Sequence, residues 1–553
     1  MDTEEFRRHA HAFVDWMTDY LAGVERYPVR AQVKPGDVAA RLPQTPPERG
    51  EPMEKIFADF TSVVLPGITH WQHPSFFAYF PANSSPPSVL AEMLTATLGA
   101  QCMLWQTSPA ATELETRVLD WLRQMAGLPD GFTGVIQDSA SSAILCALLT
   151  ARERATGWRA NDEGVNAVGP LKVYCSTETH SATEKGAKIA GLGMRNVRKI
   201  AVDDRFAMRP DALEAAIRED LAAGATPICV VASLGTTGVG AMDPLRPIGE
   251  ACRRHGVWLH VDAAWAVSAL ILSEHRGLLD GIEHVDSFVF NPHKWLFTNF
   301  DCSAHYVRDP DALVRTLEIL PAFLKTRERG HVTDYRDWSV QLGRRFRALK
   351  LWFVIRSYGV AELRRMVAAH IALAREAAEW IAAAPDFELM APRSLALVNF
   401  RYHPRGVDDA AALDRLNERL RALVRRLTDQ ELGRPMSAGW TIAGVLGHLA
   451  FWDQRVLVLL ERWERAGPSA VPPVLDHAAV DWINDAAKPL LLALLPRRAA
   501  DLAVSIAEAV DRKVKALPDE FVVRNVAAGT PVNLLRAEHR REHLDEIERA
   551  LRG

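Results

Sequence analysis

Among 553 residues there are six cysteines, all within the first 302 positions and none in a C-x-x-C pair, so no short disulfide framework is written into the chain. Reduced thiols and a cytoplasmic location are the expectation. No uninterrupted apolar stretch reaches the roughly 18 residues of a membrane span, and Asp2, Glu4 and Glu5 stand where a secretory signal needs basic residues. Charge of one sign is lacking too. The 65 basic and 69 acidic residues leave −4, which excludes nucleic acid or an anionic membrane as a bulk electrostatic partner. Glycine and proline, 33 and 32 residues, are not enriched enough for a disordered or fibrous chain, and no internal repeat is visible. What remains is a globular chain for small-molecule chemistry, long enough for one large domain and a satellite.

Phe6, Phe13, Val14, Met17, Leu21 and Val24 recur at helical spacing and predict an amphipathic helix over 3–25 that must lay its apolar face on another surface. The proline-rich stretch 41–52 reads as an extended connector. From about 85 to 300, helical segments alternate with short β-rich runs at 134–137, 172–175, 228–233, 257–261 and 287–290. That alternation predicts an α/β fold, a mainly parallel sheet with helices on both faces. Beyond about 405 the pattern changes to long helices, near 411–431, 441–466, 477–516 with a break at Pro496, and 531–552, which predict a separate all-α domain.

Reactive groups in α/β sheets gather where strands end. Gln137-Asp-Ser-Ala-Ser-Ser142 stands between a strand and a helix, where N–H groups and hydroxyls suit a phosphate, although a plain serine N-cap explains it as well. The glycine-rich run 235–240 lacks the lysine of a P-loop and the spacing of a dinucleotide fingerprint. Two strands end in charge: Trp258-Leu-His-Val-Asp262, and Ser287-Phe-Val-Phe-Asn-Pro-His-Lys294. Asp262 and Lys294 could form a structural ion pair. They also suit a sharper chemistry, because a desolvated lysine amine attacks an aldehyde and a carboxylate beside a pyridine nitrogen keeps the ring protonated. With a phosphate-binding helix start, these are the fixtures that pyridoxal 5'-phosphate requires.

Motifs in one order carry a resemblance: Tyr27-Pro-Val, His70-Trp-Gln-His-Pro-Ser-Phe-Phe-Ala-Tyr-Phe-Pro81, Thr107-Ser-Pro-Ala-Ala-Thr-Glu-Leu-Glu115, Asn291-Pro-His-Lys294, Asn299-Phe-Asp-Cys-Ser303 and Thr333-Asp-Tyr335. The chain to about residue 400 resembles the pyridoxal-phosphate-dependent group II decarboxylases of the aromatic-L-amino-acid type. The resemblance implies a fold-type I transferase-like domain, a homodimer, and decarboxylation of an aromatic L-amino acid to its amine. It implies that Lys294 binds the cofactor covalently with His293 beside it, that Asp262 partners the ring nitrogen and that His180 stacks on the ring. A lone histidine is otherwise more often structural. Ser139, Ala140, Ser141 and Asn291 become phosphate ligands, and Thr236 lies near the ring substituents. Asp138 stands where some members have glycine, which would oppose a phosphate unless the carboxylate turns away. The segment 325–337, with Gly330, resembles the family's mobile loop and makes Tyr335 the proton donor to the α-carbon. Loss of that tyrosine accompanies aldehyde-forming chemistry in the family, so an aldehyde synthase is an alternative, as is an impaired scaffold. Trp71, Tyr79, Phe80 and Pro81 resemble the aromatic substrate wall, with Gln101 and Met103 as changed neighbours.

His448 shares a helical stripe with Val445 and Trp452, while His539 and His543, four apart, share one with Leu535 and Ile547. Two histidines on one helix and a third from another make a three-nitrogen site for a divalent metal, zinc or nickel, although core histidines are the plainer reading. His539-Arg-Arg-Glu-His543 also fits H-x-x-E-H, an inverted zincin pattern, without an evident cleft. These helices resemble DinB-like metal-binding four-helix bundles. The implied organisation is an N-terminal arm at 1–85, a large cofactor domain at 86–385, a remnant small domain at 386–420 and the bundle at 421–553.

Overall fold

The computed structural model describes residues 1–319, 332–403 and 408–552. Seven strands, β1 Thr133–Gln137, β2 Leu171–Ser176, β3 Val197–Ile200, β4 Thr226–Ser233, β5 Trp258–Asp262, β6 Ser287–Phe290 and β7 Ser303–Val307, form one sheet in the order β1-β7-β6-β5-β4-β2-β3. Neighbours from β6 through β3 pair in parallel, and β7 runs antiparallel between β1 and β6. All five expected strands are present. β3 and β7 escaped the sequence pattern because Val-Arg-Lys-Ile is a half-exposed edge and Ser-Ala-His-Tyr-Val mixes polar residues into a fully buried strand.

Alternate residues feed opposite faces: Val230, Leu259, Val261 and Phe288 enter the larger apolar core, while Val173, Val231 and Val289 join Ile144 and Leu148 of the helix Ala140–Thr156 on the other face. The carboxyl ends of β1, β4, β5 and β6 therefore emerge along one edge. That edge holds the site. The N-terminal helix Thr3–Ala22 has no buried residue and lays Phe13 on Phe57 at 4.7 Å. All six cysteines are buried and unpaired.

The chain divides into two compact units, Met1–Ala377 with Ala391–Asn399, and Ala378–Met390 with Phe400–Gly553. In the second, the helices Ala410–Arg426, Ile442–Ala466, Pro496–Lys515 and Ala537–Arg552 turn apolar faces into one core containing Leu413, Leu420, Leu446, Ala503 and Leu544. The expected boundary at 420/421 is corrected: Leu413, Leu416, Leu420 and Leu423 bury into this core, so the whole helix Ala410–Arg426 belongs to it. Within the expected remnant, β8 Phe387–Leu389 and β9 Phe400–Tyr402 form a short antiparallel hairpin, and Ser394 and Leu397 form an isolated bridge. Ile442–Ala466 is long and apolar enough to cross a membrane by composition, and its apolar residues are the bundle core.

Candidate functional site

At the shared strand edge a cavity of about 240 Å³ is lined by Ser139, Ala140, Ser141, His180, Thr236, Asp262, Asn291, His293 and Lys294, every cofactor residue expected from the sequence. They arrive from the carboxyl ends of five strands, β1, β2, β4, β5 and β6. Ser139 caps the helix Ala140–Thr156, its Oγ accepting from Ser142 N–H at 3.3 Å, so the first turn offers N–H groups to an anion. Asp262 ends β5, and Lys294 sits one turn past β6 in the short helix Pro292–Trp295. Asn83 donates to the carbonyls of His293 and Lys294 at 2.8 and 3.0 Å and holds that turn.

Burial pushes the Lys294 ammonium below the usual lysine range, with the Asp262 charge opposing the shift. Its Nζ stands 5.1 Å from the Phe80 ring centre. Burial also takes His293 down to about 3, so this imidazole is neutral; its Nδ1 accepts from Cys302 N–H at 2.9 Å and its ring stacks on Phe300 at 4.0 Å. Thr236 Oγ1 accepts from Ala241 N–H, and Asn291 Oδ1 from the Ser303 hydroxyl at 2.6 Å. Asp138 is absent from the lining; one of its oxygens accepts from the Gln341 amide and the other from the Ser139 hydroxyl, both at 3.3 Å. Trp265 and Phe300 also line the cavity, and sequence reasoning assigned neither. Trp265 packs 5.3 Å from Phe80 and donates from Nε1 to the Gly235 carbonyl at 2.7 Å. Its position three residues past Asp262 was the available signal.

The substrate wall is corrected in part. Phe80 packs beside Lys294 and Trp265 without lining the cavity, while Trp71, Tyr79 and Pro81 are exposed and Trp71 stacks on Tyr79. Gln101 and Met103 are held by the 336–344 segment: Gln101 Oε1 accepts from Arg344 N–H at 2.8 Å and Met103 O from Arg336 N–H at 3.0 Å. Neither lines this chain's own cavity.

Tyr335 is a second correction. It is 2% exposed in a cluster with Val135, Cys146, Leu313 and Trp338. Its hydroxyl lies 2.9 Å from Thr116 Oγ1, and Thr116 in turn donates to the Thr112 carbonyl, so the phenol is the donor of the pair. Burial raises its pKa further, and the Arg344 guanidinium covers its ring at 4.8 Å. Such a phenol packs the core and does not line the Lys294 cavity. Residues 325–331 of the expected loop, Gly330 among them, lie outside the described residues.

In the helical unit a cavity of about 640 Å³ is lined by His448, His539 and His543, whose ligating atoms all lie within 4.8 Å of one another. His543 Nδ1 lies 2.9 Å from Glu546 Oε2, so Nδ1 carries the proton and Nε2 keeps its lone pair for a metal. His539 Nδ1 lies 3.2 Å from Arg536, which can only donate, and its Nε2 lies 3.3 Å from His448 Nε2, so His539 can ligate a metal through Nε2 as a neutral ring only when its proton moves to Nδ1 and the Arg536 contact opens. Arg536 and Arg540 are themselves buried on Asp453 at 2.7 and 3.1 Å, and Arg540 reaches Asp511 at 2.8 Å. Burial takes His448 down to about 4, keeping it neutral. The zincin reading is corrected by Glu542, which is exposed and absent from the lining; the carboxylates that line the cavity are Glu546 and Asp485.

The first cavity tests well for pyridoxal phosphate. A buried amine, a carboxylate and a capped helix start converge in it, which is the donor set of a fold-type I pyridoxal-phosphate enzyme. The comparisons narrow the class. Residues 35–403 match the pyridoxal-dependent decarboxylase conserved domain, and residues 412–543 match the DinB superfamily. The chain is 44% identical over 433 residues to phenylacetaldehyde synthase of Arabidopsis thaliana, covering 76% of this chain and 88% of the relative. It is 42% identical over 439 residues to tyrosine decarboxylase 1 of Narcissus pseudonarcissus, covering 77% and 84%. Catharanthus roseus tryptophan decarboxylase, solved with L-tryptophan, superposes with a TM-score of 0.70 at 39% identity, covering 76% of this chain and 90% of that one. The chain belongs to the pyridoxal-dependent decarboxylase family and carries a DinB-superfamily domain behind it.

Proposed function

We propose that this chain decarboxylates an aromatic L-amino acid to the amine and carbon dioxide. The observation that carries this is one cavity in which the buried Lys294 amine meets Asp262 and the N-terminus of the helix Ala140–Thr156. Ser139, Ala140, Ser141 and Asn291 would hold the cofactor's phosphate, Asp262 its ring nitrogen, Lys294 its aldehyde carbon, and His180 would cover its face. When bound, pyridoxal phosphate supplies the electron sink for the pair left on the α-carbon. Lys294, its proton affinity lowered by burial, can take and return a proton at the cavity floor. Trp265, packed on Phe80, gives the cavity a flat apolar wall, which suits a flat apolar side chain. A panel of phenylalanine, tyrosine, tryptophan and dihydroxyphenylalanine with added cofactor tests the reading by trapped carbon dioxide. Lys294→Ala should abolish both turnover and the borohydride-stable adduct; turnover surviving in that variant refutes it.

A second reading rests on Tyr335. With that phenol committed to Thr116, and no tyrosine in the sequence between Tyr306 and Tyr335, the family's proton donor has no candidate here. This favours the aldehyde branch, in which the amino acid, dioxygen and water give the aldehyde, carbon dioxide, ammonia and hydrogen peroxide. Measuring amine, aldehyde and peroxide together separates the branches.

The unit beyond residue 410 we read as a holder of one divalent metal, zinc or nickel, on His448, His539 and His543, with an open position toward the cavity. A cytoplasmic homodimer is the assembly we propose. Supporting it, Phe77 and Tyr79 are 91% and 85% exposed, and Leu90, Leu94 and Leu98 lie exposed on the helix Pro86–Leu98. In such a dimer Gln101 and Met103 would serve the partner's cavity, a role that hybrid dimers with Lys294→Ala on one subunit would test.

A further inference from the structure

We propose that the cavity of the helical unit binds a small organic carboxylate with an aromatic body, its carboxylate shared between the metal's open position and Lys488. The inference rests on the reading of His448, His539 and His543 as metal ligands, and it adds the ligand's chemical class.

The charge inventory points to an anion. Three imidazoles are neutral donors, so a divalent ion on them keeps its full charge, unlike an ion held by thiolates or carboxylates. The Lys488 ammonium faces the same cavity, half-buried; it donates to the Ala438 carbonyl at 2.5 Å and stands 5.2 Å from the Trp440 ring centre. Among the described residues no carboxylate lies within ion-pair distance of it. Arg536, the other cation of the lining, is already neutralised by Asp453. Of the lining carboxylates, Glu546 is engaged by His543 and Asp485 lies exposed. A divalent ion and the Lys488 ammonium together outweigh the Glu546 and Asp485 carboxylates, so the cavity keeps a net demand for negative charge from whatever enters.

The neutral polar groups agree. Asn484 uses its carbonyl oxygen to accept from Trp452 Nε1 at 3.0 Å, and Asn533 uses its own to accept from Leu535 N–H at 3.0 Å. Each is left with its amide N–H pair as the unused group. Metal, ammonium and two amides are thus all acceptor-seeking, which suits carboxylate oxygens and repels an amine. Trp440 and Trp452 flank His448, with ring centres 5.6 and 6.4 Å away, and Met436, Val445 and Val480 complete an apolar wall. The volume of about 640 Å³ is that of a small-molecule site.

The test uses the full chain loaded with cobalt(II), whose visible spectrum reports the metal's own coordination. Phenylacetate and phenylpyruvate are titrated, with phenethylamine as the isosteric cation. Both anions should shift the cobalt bands and quench tryptophan fluorescence, phenethylamine should do neither, and Lys488→Met should weaken the anions at least tenfold while cobalt affinity stays unchanged. The inference is overturned, with the metal reading intact, if cobalt binds but neither anion perturbs it, if the amine binds equally well, or if Lys488→Met binds the anions as the native chain does. His543→Ala is the control on the metal itself. A native chain that takes up no cobalt, or a variant that takes it up unchanged, removes the metal reading and this inference together.

Discussion

Replacing Tyr335 by phenylalanine separates two roles with opposite consequences. If the phenol delivered a proton to the α-carbon, its loss would shift the product from amine toward aldehyde and peroxide. The structure assigns it a packing role: 2% exposed, with the hydroxyl donating to Thr116 and the ring under Arg344. Phenylalanine keeps the ring, its volume and the guanidinium contact. Only one hydrogen bond is lost, and Thr116 still donates to Thr112. The expected cost is about 1 kcal/mol, roughly a fivefold change in the folded-to-unfolded ratio. Tyr335→Ala, which also empties the site of its ring, should cost about 3–5 kcal/mol. The assay is a product balance of amine, aldehyde, peroxide and carbon dioxide beside a denaturant titration of each variant. A native product ratio in Tyr335→Phe, with stability lowered by about that one bond, is the expected outcome. A changed ratio at unchanged stability would refute the packing assignment.

Glu546→Gln removes the anion that fixes the His543 tautomer, and metal affinity of the full chain, read by competition with a chromophoric chelator, should fall about 10–100-fold. Arg344 lies buried on Glu115 at 2.6 Å and caps the Ile136 carbonyl at 2.9 Å. Glu115→Gln should therefore destabilise the decarboxylase unit by about 3–5 kcal/mol, and Glu115→Gln with Arg344→Met by less than the sum of the singles, as denaturation midpoints will show. Asp243 is buried on two backbone N–H groups, at 2.7 Å from both Met208 and Ser233, and burial raises its pKa to about 6. The folded state thus holds this proton more tightly than the unfolded state. The contribution is present below the unfolded value of about 3.9 and is lost as pH rises through about 6; Asp243→Asn should flatten that part of the stability–pH curve.

Much of the cofactor site was legible because its residues are tied to the chain's local punctuation. Asp262 and Lys294 follow runs of buried apolar residues that could only be strands, and Ser139 stands at a strand-to-helix turn. A charged or hydroxyl residue at such a place is conspicuous in one dimension. Tyr335 offered no such signal. It sits between polar residues in the sequence, and only long-range packing against Val135, Cys146 and Leu313 reveals a core residue. The same holds for β7, whose histidine and serine disguise a strand buried on both faces, and for Gln101 and Met103, whose partners lie more than 200 residues away.

By itself the sequence determined the chemistry the chain can perform: an amine, an acid and a phosphate cradle at strand ends, and three histidines on two helices. Those follow from residue type and spacing, which the backbone's two periodicities convert directly into faces. Tertiary structure alone decided which groups meet. It placed nine expected residues around one cavity, withdrew a phenol into the core, exposed Glu542 and gave His543 the carboxylate of Glu546. Such meetings depend on packing between distant segments, and no local pattern encodes a distance across a fold.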